Sequence, residues 1–345
     1  MTDLIVTNFN RNFTGVSATA AGVLRAQVRR YDLALAGHPL PDCPAPVSLA
    51  TARRLSRHPP KGRPFVIWHV RRNSEMRAAI WARDVLRLPI RIVFTSAAQR
   101  LHSAFPRWLI SRMDAVIATT ERAAEFVPHV RAVVPHGVDC AVFTPAPDRA
   151  AAWAATGYPG AQGIATIGRI RPEKGTDRFV DAMLRLLPER PDLTALVLGR
   201  AGRGDAAFLQ ELKDRAGAAG VARRLIFAGE IAPDELPALV RSLSAVVQMP
   251  RYEGYGMAPL EGMASGVPFV ATDAGYYRQF SQSGTCGVIV EDAEQAANAV
   301  NALLDDPKRL ATMARAARAA AVGTFSIEAE ADGIGAVYKA LWAGG

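Results

Sequence analysis

Cysteine is scarce in this chain. Cys43, Cys140 and Cys286 are the three among 345 residues, too few and too far apart for a disulfide framework or a zinc site. No apolar run approaches the ~20 residues that span a bilayer. The opening MTDLIVTNFNRNF has no basic region followed by an apolar one, the mark of a secretory signal. These absences lead to the expectation of a cytoplasmic protein with free thiols. The segment after the first strand-like run has no G-x-G-x-x-G spacing and no P-loop lysine, which weakens a dinucleotide or ATP reading. No recognised DNA- or RNA-binding motif occurs, so nucleic acid is not an expected partner.

What is present is a globular composition, 50% apolar and 21% charged, at a length that suits two domains. Charge is unevenly placed. Residues 1–150 hold 21 Lys and Arg against 10 Asp and Glu, whereas 151–345 hold 20 against 22. A basic half can meet an anionic membrane surface, an acidic substrate or nucleic acid; an Arg-rich composition without a partner is the alternative. Two stretches carry the basic character: the Pro-broken loop Arg53–Arg63, and a helix over Met76–Leu88 that sets Trp81, Val85 and Leu88 beside Arg77, Arg83 and Arg87. Aromatic and apolar residues beside arginines suit an anionic membrane, or else a core-facing helix with a solvated basic back.

Short, continuously apolar runs alternate with helical patterns. Strands are expected at Leu4–Val6, Phe65–Val70, Ile90–Thr95, Ala115–Thr119 and Ala132–Val134, then at Ile164–Ile167, Ala195–Leu198, Leu225–Ala228, Ala245–Met249, Phe269–Ala271 and Val288–Val290. Helices are expected at Asp177–Leu187, Asp205–Ala219 and Pro233–Leu243. This is the pattern of doubly wound α/β domains whose parallel strands are covered on both faces. The Pro-, Gly- and Ala-rich Thr144–Gly163 reads as a linker. The expected division is therefore 1–150, 151–325, and a C-terminal helix in 326–345 that could cross back to the first domain. Ligands of such sheets bind beyond the carboxyl ends of the strands, here in a cleft between facing domains.

Three strand-end loops carry candidate chemistry. In RYEGYGMAPLEGMASG (251–266), Glu253 precedes the turn Gly254-Tyr255-Gly256, and Glu261 falls one turn into a helix starting near Met257. The free N–H groups and positive end of such a helix can hold a phosphate, and the two carboxylates can accept from sugar hydroxyls. In GRIRPEKG (168–175), Arg169 and Lys174 leave a strand end together, and an Arg fork with a Lys point charge suits a diphosphate. A turn at Asn8–Gly22 places Gly15 where a backbone could approach a ligand. Taken singly, each element is also compatible with an ordinary turn, a helix-favouring Glu or a solvated basic loop.

Together these residues resemble the family 4 group of retaining glycosyltransferases, which have the GT-B fold. GRIRPEKG, FAGEI, YEGYGMAPLE and VPFVATDAG follow the family's order and spacing, and VVPHGVDCAVFTP resembles its Asn-Gly-Val-Asp element with His136 in the Asn position. WHVRRNSEM, FTSAAQR and VVPHGVD are similar to a narrower set, the lipopolysaccharide-core mannosyltransferases of alphaproteobacterial type. The resemblance implies that Arg169 and Lys174 bind the donor diphosphate, and that Glu253, with backbone N–H groups from Gly254 through Tyr255 and Gly256 to Met257, holds the donor sugar and phosphate. It implies that Glu261 binds ribose hydroxyls, that the backbone at Glu230 and Ile231 touches the base, and that no metal or other cofactor is needed. The partners it implies are a nucleotide sugar, GDP-mannose first and UDP-glucose as the alternative, and an anionic, lipid-linked saccharide acceptor. A non-catalytic sugar-binding protein is the rival reading from another class. The chain departs from the family in two places. Thr95-Ser96 stand where many relatives carry a His, which makes His69 the candidate cleft histidine, weighed against a satisfied structural histidine, with His102 shortly beyond, and Gly275-Tyr276-Tyr277-Arg278 replaces a carboxylate-bearing loop.

Overall fold

The computed structural model describes residues 2–12, 14–98 and 100–344. Its contacts divide the chain into two compact units, one joining the residues up to Gly137 with those from Phe325 onward, the other running from Val138 to Thr324. The division falls earlier than residue 150. The segment read as a linker contains a short helix, Arg149–Ala154, capped by the Asp148 side chain.

The first unit is built on a parallel sheet of six strands: β1 (Leu4–Asn8), β2 (Leu33–Gly37), β3 (Val66–Val70), β4 (Ile90–Ser96), β5 (Ala115–Ala118) and β6 (Val130–Val133), in the spatial order β2-β1-β3-β4-β5-β6. The inner strands β1, β3, β4 and β5 are almost continuously buried because helices cover both faces, while β2 and β6 at the edges are only partly so. The period of two is visible in the packing. Ile5 joins a core with Trp68, Val70 and Ile92, while Leu4 joins another with Ile67, Val93 and Ile117 on the opposite face. The final helix, Ile327–Ala343, completes that second core with Ile334, Val337 and Tyr338, and the Trp342 indole donates to the Phe65 carbonyl at 3.1 Å. The expected helix over Met76–Leu88 instead runs from Asn73 to Ile80 and widens into a π-turn at Trp81–Val85. It stops before Arg87, whose φ of 53° is incompatible with a right-handed helix.

The second unit holds β7 (Gln162–Ile167), β8 (Leu193–Leu198), β9 (Leu225–Gly229), β10 (Ala245–Gln248), β11 (Phe269–Thr272) and β12 (Gly287–Val290), all parallel, in the order β12-β11-β10-β7-β8-β9. The order reverses direction between β7 and β10, and the carboxyl ends of strands at such a reversal are where open α/β sheets bind ligands. Among the described residues no helix is long and apolar enough to cross a membrane.

Candidate active site

Arg169, Lys174, Glu253 and Glu261 all lie on the segments leaving β7 and β10, at this point of reversal. Two glycines fix the geometry. Gly175, at φ 66°, starts the helix Thr176–Leu186, and any Cβ there would fall 1.7 Å from the Met249 carbonyl oxygen. The β7 and β10 loops therefore run in direct contact, and the Arg251 and Tyr252 amides both donate to the Glu173 carbonyl, at 3.0 and 3.3 Å. Gly256, at φ 94°, caps the helix Met257–Ala264, and a Cβ there would meet the Tyr277 ring at 2.1 Å. Only glycine satisfies both the left-handed backbone and the close approach.

These contacts bring the Lys174 ammonium to 2.6 Å from a Glu253 carboxylate oxygen, and the other oxygen accepts from the Gly254 amide at 2.8 Å. Arg251, beside this pair, grips Asp177 with both guanidinium nitrogens at 2.8 and 2.6 Å. Arg169 is exposed and lines a pocket of about 280 Å³ with Gly168, Gly199, Arg200, Glu230 and Ile231, at the ends of β7, β8 and β9. The Glu230 carboxylate stands 3.3 Å from Arg200. Glu261 sits one turn into its helix, and burial raises its carboxyl to about 7. Tyr255 does not present its ring to this site. It is buried in a stack with Tyr276, centroids 5.2 Å apart, and its carbonyl accepts the Tyr276 amide. Arg278, at the departure from the family pattern, pairs with Asp273 at 2.6 Å.

His69 requires a correction. It lies in β3, fully buried in the first unit, with Nδ1 2.5 Å from the Tyr338 hydroxyl and Nε2 2.7 Å from Thr95 Oγ1. Both ring nitrogens are taken, and burial, reinforced by nearby Arg71, holds its pKa well below the usual histidine value. In this structure it is a buried histidine held at both ring nitrogens. His102 instead lines a pocket of about 190 Å³ with Arg71, Thr95, Ser96 and His136. His136 stands 2.9 Å from Glu330 of the final helix, whose other oxygen accepts the Gly137 amide at 2.8 Å. Gly15 begins its helix in open space, with nothing within 4 Å of a would-be Cβ.

One organising residue of this unit carried no role in the sequence reading. Glu75, fully buried, accepts from the Thr7 hydroxyl (2.9 Å), the Phe9 amide (3.1 Å), the Arg71 amide (2.8 Å) and the Arg72 guanidinium (3.0 Å). Arg72 goes on to Asn8 and to Ser17, each at 3.0 Å. The loops leaving β1 and β3 are thus tied around one carboxylate. The sequence signal was only a Glu three residues after Arg72; two of its partners, Thr7 and Phe9, are more than sixty positions away.

Two parallel six-stranded sheets of this kind, with basic and acidic side chains on strand-end loops, make up the GT-B glycosyltransferase fold, and solved structures match it over the whole chain. HepE from Anabaena, in complex with UDP, superimposes with a TM-score of 0.80 at 17% identity, covering 98% of this chain and all of that one. The C-terminal domain of the group 1 glycosyl transferase LpcC from Francisella tularensis is 36% identical over 55% of this chain and all of its own length, with a TM-score of 0.54. The family model "Glycosyl transferases group 1" matches residues 158–320. The lipopolysaccharide core biosynthesis mannosyltransferase LpsB of Rhizobium meliloti (strain 1021) is 41% identical over 98% of this chain and 97% of its own. LpcC of Rhizobium leguminosarum bv. viciae is 40% identical over 98% and 96%. The chain belongs to the glycosyl transferases group 1 family, and it is an enzyme that transfers a glycosyl group.

Proposed function

We propose that the enzyme is a retaining transferase of family 4 that moves mannose from GDP-mannose to a lipopolysaccharide-core or other lipid-linked saccharide. The observation that carries this reading is the contact of Lys174 with Glu253 where the loops from β7 and β10 meet, with Arg169 on the adjoining pocket. Near full-length similarity to two rhizobial proteins named core mannosyltransferases favours the sugar and the acceptor class. Arg169 and Lys174 would take the donor diphosphate and stabilise the charge that develops as it leaves. An arriving phosphate displaces Glu253 from Lys174 and frees that carboxylate for sugar hydroxyls. Glu261 accepts from the ribose, and the backbone at Glu230 and Ile231 faces the base. Attack then occurs on the face the diphosphate leaves, with a phosphate oxygen taking the acceptor proton. UDP-glucose is the alternative donor, since the fold alone does not select a base.

A thermal-shift panel of GDP, UDP, ADP and their sugars tests the donor. A ligand at 100 times its Kd stabilises the fold by about 2.7 kcal/mol, and GDP and GDP-mannose are expected to give the largest shifts. A larger shift with UDP sugars would move the reading to the alternative donor. NMR of the product's anomeric proton tests retention.

A second reading, peripheral membrane attachment through the first unit, is supported by a patch of large apolar side chains. Trp81, Val85, Leu86, Leu101, Phe105 and Trp108 are exposed, on neighbouring segments tied by an Arg112–Asp84 ion pair. Part of the basic character is already committed: Arg83 and Arg91 pair with Asp114, and Arg63 pairs with Asp3 and stacks on Trp342. Insertion of the apolar patch, steered by Arg54, Arg57 and Lys61, is therefore the expected mode. Phe105→Ser with Trp108→Ser should abolish co-sedimentation with anionic liposomes while sparing transfer to a short soluble acceptor; undiminished binding would remove this reading.

A further inference from the structure

The 190 Å³ pocket of the first unit gathers a guanidinium nitrogen, a hydroxyl and an imidazole nitrogen that have no partner among the described residues. Arg71 Nη1, Ser96 Oγ and His102 Nε2 line it or belong to its lining residues, are shielded from solvent, and have no hydrogen-bond partner among the described residues. Ser96 is 2% exposed. A shielded polar group without a partner is costly, on the order of 1–3 kcal/mol and more when charged, and three on one cavity call for a common partner. We propose that this pocket is an oxyanion site that receives a carboxylate or phosphate carried by the acceptor saccharide; the acceptor part rests on the transferase reading above.

The neighbouring groups explain why these donors stay open. The two acids closest to Arg71 in the network are spent. Glu75 holds Thr7, the Phe9 and Arg71 amides and Arg72, while Glu330 holds His136 and the Gly137 amide. No carboxylate among the described residues forms an ion pair with the Arg71 side chain. Burial pushes the Arg71 guanidinium below its usual value, although Glu75 and Glu330 oppose the shift. Thr95 is already engaged by His69, which leaves Ser96 as the free hydroxyl at the end of β4. The pocket lies where β3 and β4 end and the helix after β1 begins, with Val16, Thr19, Asn73 and Ala98 among its walls. That is the position at which open α/β sheets hold ligands. A guanidinium fork, a hydroxyl and an imidazole N–H match the three or more lone-pair directions of a carboxylate or phosphate. The Arg71 backbone is pinned through Glu75, so little ordering is needed on binding.

Water could fill a polar cavity of this size, but water would make no distinction between an anion and a neutral sugar. The test is calorimetric titration of the intact chain with inorganic phosphate, with glucuronate and with glucose. Saturating GDP or UDP is present so that the donor site is filled, and a parallel series omits nucleotide. The expected result is that phosphate or glucuronate binds at least tenfold more tightly than glucose. Arg71→Met should remove about tenfold or more of that affinity, Arg71→Lys should restore part of it, and Ser96→Ala and His102→Ala should each weaken it several-fold. The stronger of the two anions identifies the group recognised. Nucleotide affinity is read in the same variants and is expected to be unchanged. Anions binding no better than glucose, or anion affinity untouched by both Ser96→Ala and His102→Ala, would overturn the proposal even if Arg71→Met fails to fold. A native chain that binds these anions but no nucleotide would overturn the transferase reading and leave the pocket standing.

Discussion

At the carboxyl ends of its strands the second unit has its charges paired: Lys174 with Glu253, Arg251 with Asp177, Arg278 with Asp273. The first unit has gathered its acceptors around Glu75 and Glu330 and left Arg71, Ser96 and His102 with none. The difference follows from burial. Lys174 and Glu253 are a quarter or less exposed and lie on strand-end loops, so on the reading proposed above a diphosphate would replace one partner of an existing pair. In the first unit the groups are shielded, and each acceptor they lack matters more. One region has its charged groups in pairs on strand-end loops; the other holds them around two buried carboxylates.

Removing the frame should give the largest effect. Glu75→Ala takes a fully buried carboxylate from four donors and is expected to destabilise the chain by about 3–5 kcal/mol. Calorimetric unfolding checks this; a loss below about 1 kcal/mol would show that Glu75 does not organise the unit. Removing a cation from the loops of the second unit should act on rate instead. Arg169→Ala or Lys174→Ala should lower transfer by roughly 100-fold or more with unfolding barely moved, and near-normal turnover in both would remove them from the donor site.

The smallest effect separates the two carboxylates of the second unit. Glu253→Ala should spare free-nucleotide affinity and lower turnover, whereas Glu261→Ala should weaken free nucleotide. The raised carboxyl of Glu261 adds a sign that pH can read. Its ordinary value is 4.5 and burial lifts it to about 7, so between these the folded state holds a proton the unfolded state has lost. Stability must therefore fall as pH rises from about 4.5 to 7. A ribose whose hydroxyls donate to both oxygens binds the ionised form more strongly, so nucleotide affinity should rise as pH approaches and passes 7. Glu261→Gln should flatten both profiles, as measured by denaturation and by nucleotide titration across pH 5–8; a wild-type slope retained in the variant would assign it to another group.

The second unit was the more legible in sequence because its geometry is local. Gly175 and Gly256 stand beside the residues they position, and the strands from β7 to β12 are apolar runs bounded by turns. The first unit depends on distant pairs. Nothing near Glu75 announces Thr7 or Phe9 as partners, and nothing near His69 announces Tyr338, 269 positions later. A histidine at the end of a strand therefore read as a cleft residue when it is a buried one. β2 was missed because LALAG is short and only half-buried along its length. The helix after β3 was misplaced at both ends because a π-turn and a left-handed Arg87 leave no mark in the apolar period.

The final helix returns to the first unit, with Tyr338 inside its core and Glu330 clamped to the His136 turn. Residues 138–324 are thus an insertion, entered and left from the same body. On the ribosome the order of completion inverts the order of synthesis. The inserted unit is whole once Thr324 has emerged, while the body that began first still exposes the bed of that helix. Leu4, Ile67 and Ile117 wait for that helix, and this interval is when a chaperone has an apolar surface to hold.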